Sequence, residues 1–169
     1  MTYNYAGIVY DSLVDGEGIG ATVFTQGCSH HCPGCHNPET WNKDGGKPFT
    51  AEILEELMAY FEDGNGDHLT MSCGYPLDNI ELTEYIVCEF KKRFPDKKVW
   101  LYTGYTYEQI IEDEKCKTII ENTDYLVDGL FVLSLKTLNK PFCGSSNQRI
   151  IDIKNTLKEG EIVLWKEGN

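Results

Sequence analysis

Apolar residues along the chain fall into two patterns that alternate. The first is a set of short runs rich in β-branched and aromatic residues: Ile8-Val9-Tyr10, Ala21-Thr22-Val23-Phe24-Thr25, His68-Leu69-Thr70-Met71-Ser72, Lys98-Val99-Trp100-Leu101-Tyr102-Thr103 and Tyr125-Leu126-Val127-Asp128. Each reads as an extended strand. The second pattern has apolar residues recurring every three or four positions. Ile53, Leu54, Leu57, Met58 and Phe61 make one such face, behind the N-cap Thr50 and the early acids Glu52, Glu55 and Glu56, which suit the helix dipole. Asp63-Gly64-Asn65-Gly66 ends that helix. A second helix opens on a capping box, Asp78 with Glu81. Its buried stripe is Leu82, Ile86 and Phe90, flanked by Tyr85, Val87 and Phe94, with Cys88 as a small core residue. Lys91, Lys92 and Arg93 close it before Pro95. Thr106 with Gln109 opens a third through Ile110 and Ile111, and Ile119-Ile120 add one more apolar patch.

Strands therefore alternate with helices at least three times, which predicts an α/β fold whose mostly parallel sheet is built from right-handed crossovers. Four or so units are too few to close an eight-stranded barrel, so an open, partial barrel is expected. The polar run Gly144-Ser145-Ser146-Asn147-Gln148-Arg149 reads as a turn into an edge strand at Ile150-Ile151. Glu161-Ile162-Val163-Leu164-Trp165 reads as a short final strand or an apolar tail. At 169 residues the chain is one domain, 1–169, large enough to bury a core without disulfides.

Composition narrows the function classes. No apolar run approaches the ~20 residues that span a bilayer, and Met1-Thr2-Tyr3-Asn4-Tyr5 lacks the basic start and apolar stretch of an export signal. No membrane and a cytoplasmic location are the expectation. A net charge of −12 argues against a nucleic-acid partner, which requires clustered Lys and Arg. Seven cysteines, an odd number, point to a reducing compartment rather than to disulfides. Asp15-Gly16-Glu17-Gly18-Ile19-Gly20 lacks the phosphate-loop pattern and reads as a turn.

The candidate chemistry sits in Thr25-Gln26-Gly27-Cys28-Ser29-His30-His31-Cys32-Pro33-Gly34-Cys35-His36-Asn37-Pro38. Cys28, Cys32 and Cys35 have C-x3-C-x2-C spacing in a loop that follows a strand, where open α/β sheets bind ligands. Three thiolates are one short of the usual set for an iron–sulfur cluster, which leaves one iron open. The alternative is zinc, with His30, His31 or His36 as a fourth ligand. Zinc sites more often use two separated pairs, and no second C-x2-C or H-x3-H follows.

The cysteine spacing resembles that of the radical S-adenosylmethionine enzymes, and nearly the whole chain resembles one family among them, the activating enzymes of anaerobic (class III) ribonucleotide reductases. The resemblance rests on Asp15-Gly16 with Gly18-Ile19, on Gln26-Gly27-Cys28-x-His30-x-Cys32-x-Gly34-Cys35-His36-Asn37, and on Thr40-Trp41. It extends through Leu69-Thr70-Met71-Ser72, Val99-Trp100-Leu101-Tyr102-Thr103-Gly104-Tyr105, Val127-Asp128-Gly129-x-Phe131 and Gly144-Ser145-Ser146-Asn147-Gln148-Arg149. It implies a radical-SAM-type partial barrel in which Cys28, Cys32 and Cys35 hold a [4Fe-4S] cluster. Gly34, Cys35, His36 and Gly74 would contact S-adenosylmethionine. Reductive cleavage would yield a 5′-deoxyadenosyl radical that takes a hydrogen atom from a glycine of the anaerobic ribonucleotide reductase large subunit. Flavodoxin or ferredoxin would supply the electron.

Four positions depart from the family pattern. Cys73-Gly74-Tyr75-Pro76 stands where Gly-Gly-(Glu or Asp)-Pro is usual, Gly20 follows Gly18-Ile19 in place of Arg, and Cys143 precedes Gly-Ser-Ser in place of Arg. Cys73 and Cys143 are either extra thiols near the site or plain small residues. The competing functions are activation of another glycyl-radical enzyme of the pyruvate formate-lyase type, modification of a small molecule, and a non-catalytic zinc-binding interaction module. A further one is a relative that keeps its cluster without turnover.

Overall fold

A computed structural model describes residues 3–168; Met1 and Thr2, the start of the segment read for an export signal, and Asn169 lie outside the described residues. Seven strands form one sheet: β1 Asn4–Ser12, β2 Gly20–Thr25, β3 Lys47–Pro48, β4 His68–Ser72, β5 Lys98–Tyr102, β6 Tyr125–Asp128 and β7 Arg149–Asp152. Their order is β3-β1-β2-β4-β5-β6-β7, with β3 and β7 at the edges. The helices are α1 Ala51–Glu62, α2 Ile80–Arg93, α3 Tyr107–Ile110, α4 Lys117–Glu121 and α5 Ile153–Glu159. Among the described residues, no helix is long and apolar enough to cross a membrane.

The expected parallel sheet is present only in the interior. β2, β4, β5 and β6 run parallel, whereas β1 with β2, β1 with β3, and β6 with β7 pair antiparallel. The fold is thus α/β with a mixed sheet. For β1 and β2 the physical reason lies in the connection. A parallel neighbour requires a long crossover, whereas β1 and β2 are joined directly by the glycine-rich turn.

Strand alternation gives the sheet two different faces. Ala21, Val23, Leu69, Met71, Val99, Leu101 and Leu126 point to one face and bury against Leu54, Leu57, Met58 and Phe61 of α1 and Leu82, Ile86, Val87 and Phe90 of α2. The other face is polar and aromatic: Thr22, Thr70, Trp100 and Tyr125 lie in register across four strands. Trp100, Tyr125, Val127, Cys143 and Ile150 form a second, smaller core there, against Tyr102, Phe142 and Trp165.

Several local expectations change. Thr50 caps α1 as read, accepting from the Ile53 N–H. The α2 capping box does not form; Asn79 takes the N-cap position without a side-chain bond, because Asp78 is used elsewhere. Tyr85 is exposed and Cys88 only half-buried, since both lie beside the buried stripe. The α3 box does form, with the Thr106 N–H donating to Gln109 Oε1 at 2.9 Å. The C-terminal apolar segment bridges β7 through Leu164 and Ile151, and the Trp165 N–H donates to the Ile150 carbonyl.

One ion-pair network ties β6, β7 and α3 together. Asp128, 1% exposed, accepts from Arg149 Nε at 3.0 Å and from the Tyr107 N–H at 2.8 Å. Arg149 also donates to Glu108 Oε2 at 2.8 Å. Hydrogen bonding from Arg149 holds the Glu108 carboxyl down at about 2, against an ordinary value of 4.5. A depressed folded-state value gives stability that is full above the ordinary value and is lost as the pH falls toward the depressed one. Glu108→Gln is therefore expected to melt below the parent at neutral pH, with the gap closing between about pH 5 and pH 2. Thermal melts across that range check this; a gap independent of pH would show that the charge contributes nothing.

Candidate functional site

The parallel strands β2, β4, β5 and β6 all end on one side of the sheet, and the cysteine loop leaves β2 there. Residues 26–37 have no helix or strand of their own, so their backbone groups need partners from elsewhere. The Gly27 and Cys28 N–H groups donate to the Thr40 and Trp41 carbonyls at 2.8 and 3.1 Å. The Gly27 carbonyl accepts from the Tyr75 N–H at 2.6 Å. The Ser29 N–H donates to Asp78 Oδ2 at 2.7 Å, which is the use that takes Asp78 away from the α2 cap. Gln26 is buried and its amide donates to the Glu39 and Asn42 carbonyls.

Within the loop, the Cys35 N–H donates to the Cys32 carbonyl at 3.0 Å, closing a tight turn. Gly34 completes it at φ +74°, and a Cβ there would come 2.6 Å from Leu133 Cδ1. The loop tip therefore touches the segment that follows β6 while remaining exposed. Phe131 of that segment lies 6.1 Å from the exposed His36 ring.

Cys28, Cys32 and Cys35 are all free and half-buried. Burial pushes the Cys28 and Cys32 thiols up, and the Cys32 thiol is raised further by Cys28 and Cys35, so the three sulfurs lie within electrostatic range of one another. The Asn37 N–H donates to Cys35 Sγ at 3.4 Å. Among the described residues, no three His, Cys, Asp or Glu side chains are gathered tightly enough to hold a single metal ion. Each loop histidine is instead set against an aromatic ring. His30 packs on Tyr75 and Tyr105, at 4.6 and 4.7 Å between ring centroids, with its buried Nε2 unpartnered. His31 stacks on Trp41 at 4.7 Å.

The turn after β4 lies directly against this loop. Gly74, at φ +57°, donates its N–H to Thr40 Oγ1 at 2.9 Å. A Cβ on Gly74 would run into the Thr25 carbonyl and come within 2.9 Å of the Gly27 carbonyl. Cys73 also has positive φ, +43°. Its Sγ accepts from Asn37 Nδ2 at 2.8 Å, and burial pushes its thiol up to about 11. The Tyr75 ring is buried, and its hydroxyl accepts from Thr103 Oγ1 at 3.1 Å. It fills space beneath His30.

The other two departures lie away from the loop. Gly20 starts β2, at the end opposite the cysteines, and a Cβ there would collide with the buried His68. Cys143 packs in the second core with Trp100 and Val127. The polar run before β7 braces the segment over the loop: Gln148 donates to the Gly129 carbonyl and accepts from the Gly144 N–H, and Asn147 donates to the Leu130 carbonyl. Asn37, Thr40 and Asp78 are the positioning residues that sequence reasoning missed. Asn37 and Thr40 entered only as part of the family resemblance, with no role attached, and a capping-box reading claimed Asp78.

Residues 14–151 match the family described as "4Fe-4S single cluster domain". The anaerobic ribonucleoside-triphosphate reductase-activating protein of Enterobacteria phage T4 is 37% identical over 149 residues, covering 87% of this chain and 92% of that protein. The proteins of the same name from Salmonella typhimurium and Escherichia coli K12 are 34% and 32% identical, each over 80% of this chain and 90% of their own length.

The seam between the loop and the β4 turn has a direct test. Gly74→Ala combines a left-handed backbone with a collision against two carbonyls, so it is expected to lower the unfolding free energy by about 2 kcal/mol or more. Urea titration measures this. A loss below about 0.5 kcal/mol would mean that the turn does not bear on the loop as described.

Proposed function

The chain belongs to the family of anaerobic ribonucleoside-triphosphate reductase-activating proteins, and from that membership we propose that it installs a glycyl radical on the large subunit of an anaerobic ribonucleotide reductase. The reading takes residues 1–169 as a single radical-SAM-type domain, an open partial barrel, working in the cytoplasm. The observation that carries it is the set of three free thiols on one hydrogen-bonded loop at the ends of the parallel strands.

Cys28, Cys32 and Cys35 would hold a [4Fe-4S] cluster, and the donor set fits that group. Three thiols within electrostatic range, one of them already accepting a peptide N–H, are what a site-differentiated cluster asks for. When bound, the cluster and S-adenosylmethionine supply a 5′-deoxyadenosyl radical able to take a hydrogen atom from the reductase glycine. The protein's own tasks are binding, orientation and exclusion of water. On binding metal the three loop thiols would give up their protons, against the burial that favours the protonated form at Cys28 and Cys32. Gly34, Cys35, His36 and Gly74 would contact S-adenosylmethionine. Phe131 and Leu133 lie against the exposed loop tip. Tyr75 and Tyr105 pack against His30 and give the loop a fixed support at its first histidine. Flavodoxin or ferredoxin supplies the electron.

The test is anaerobic reconstitution with iron and sulfide, followed by reduction and addition of S-adenosylmethionine. The parent is expected to hold a four-iron cluster and release 5′-deoxyadenosine. Cys28→Ser, Cys32→Ser and Cys35→Ser should each lose most of both, while Cys88→Ser, on the flank of α2, keeps both. Stoichiometric zinc without iron would overturn the reading in favour of a zinc-binding module.

A further inference from the structure

Three cysteine ligands leave one iron of a four-iron cluster without a protein donor. The fold places a fourth thiol beside the loop that carries those three. β4 ends at Ser72, and Cys73 leaves strand geometry with φ +43°. In that conformation Cys73 Sγ meets Asn37 Nδ2 at 2.8 Å and Ser72 Oγ at 3.8 Å. Asn37 is also the residue whose backbone N–H donates to Cys35 Sγ at 3.4 Å. One side chain and its own peptide group thus hold both sulfurs.

The surroundings are those of a ligand sulfur. Donors aimed at sulfur are the usual outer partners of metal-bound thiolates, where they stabilise the negative charge. Cys73 has an amide N–H and a hydroxyl at hand, whereas Cys88, Cys116 and Cys143 have no such bond among the described residues. Cys73 is locked in place as well: its carbonyl accepts from Thr25 Oγ1, and the following N–H is taken by Thr40. The left-handed backbone at Cys73 costs a non-glycine residue energy, which these bonds offset.

Resting on the cluster assignment proposed above, we propose that Cys73 is a fourth protein ligand of the cluster in the absence of S-adenosylmethionine, closing the iron that Cys28, Cys32 and Cys35 leave open. On binding, the Cys73 thiol gives its proton to solvent and a sulfur–iron bond forms. When S-adenosylmethionine arrives, its amino and carboxylate groups take that iron. The Cys73–iron bond breaks, and the thiolate recovers a proton. No electron moves in the exchange. Its value is protection: an iron with four protein ligands is held against loss during oxidative exposure, and the cofactor opens it only when needed.

The test reads the cluster, not turnover. Parent and Cys73→Gly are reconstituted anaerobically; glycine suits the positive φ, so the variant keeps the turn. Both are treated with one equivalent of ferricyanide without S-adenosylmethionine, and the [3Fe-4S] signal is counted by EPR. The variant is expected to lose its open iron and give several-fold more three-iron signal than the parent. Excess S-adenosylmethionine should bring the two together. Equal three-iron yields without the cofactor, from proteins that both start with four irons and four sulfides, would overturn the role of Cys73 alone. A parent that binds no four-iron cluster would overturn both this proposal and the reading it rests on. The starting iron and sulfide counts separate the two failures.

Discussion

The hydrogen-bonded seam between the cysteine loop and the turn after β4 is the interaction on which the site depends. A loop with no periodic structure must satisfy its backbone groups from outside or lose about 1–3 kcal/mol for each one buried without a partner. Here the partners come from two directions. Residues 40 and 41 receive the Gly27 and Cys28 N–H groups, and the β4 turn supplies the Tyr75 N–H and the Asp78 carboxylate. The geometry is tight enough that position 74 tolerates only glycine without the carbonyls of Thr25 and Gly27 moving. One consequence reaches into secondary structure. Asp78, expected from the sequence to cap α2, serves the loop instead, and α2 begins behind Asn79 without a side-chain cap.

Periodicity disclosed the elements that bury a continuous face. Leu54, Leu57, Met58 and Phe61, and again Leu82, Ile86 and Phe90, recur at helical spacing and are buried. Features that depend on which strand neighbours which were not legible, because alternation reports the face of a residue and not the direction of its partner. Hence the antiparallel edges, and the two-residue β3, came only from the structure. The short helix α5 was hidden by its polar composition behind β7. In the site, spacing was enough to find the cysteines. It could not find Asn37, Thr40 or Asp78, whose partners are distant in the chain and leave no local pattern.

The departures from the family pattern now separate by location. Gly20 and Cys143 answer to packing, one beneath His68 and the other in the second core. Tyr75 replaces an acid with a buried ring that supports His30 from below, so the loss of charge comes with added packing. Cys73 differs from these. It faces the cysteine loop, shares Asn37 with Cys35, and adds a sulfur where glycine is usual.

The central claim is that the three loop thiols enable this chain to make a glycyl radical on its partner. The most direct measurement is EPR on an anaerobic mixture of the reduced, reconstituted protein, S-adenosylmethionine and an anaerobic ribonucleotide reductase large subunit. The account predicts a glycyl-radical doublet on the reductase that requires the cofactor and is absent with Cys32→Ser. A fully loaded four-iron protein that cleaves S-adenosylmethionine but leaves the reductase without that doublet would contradict it.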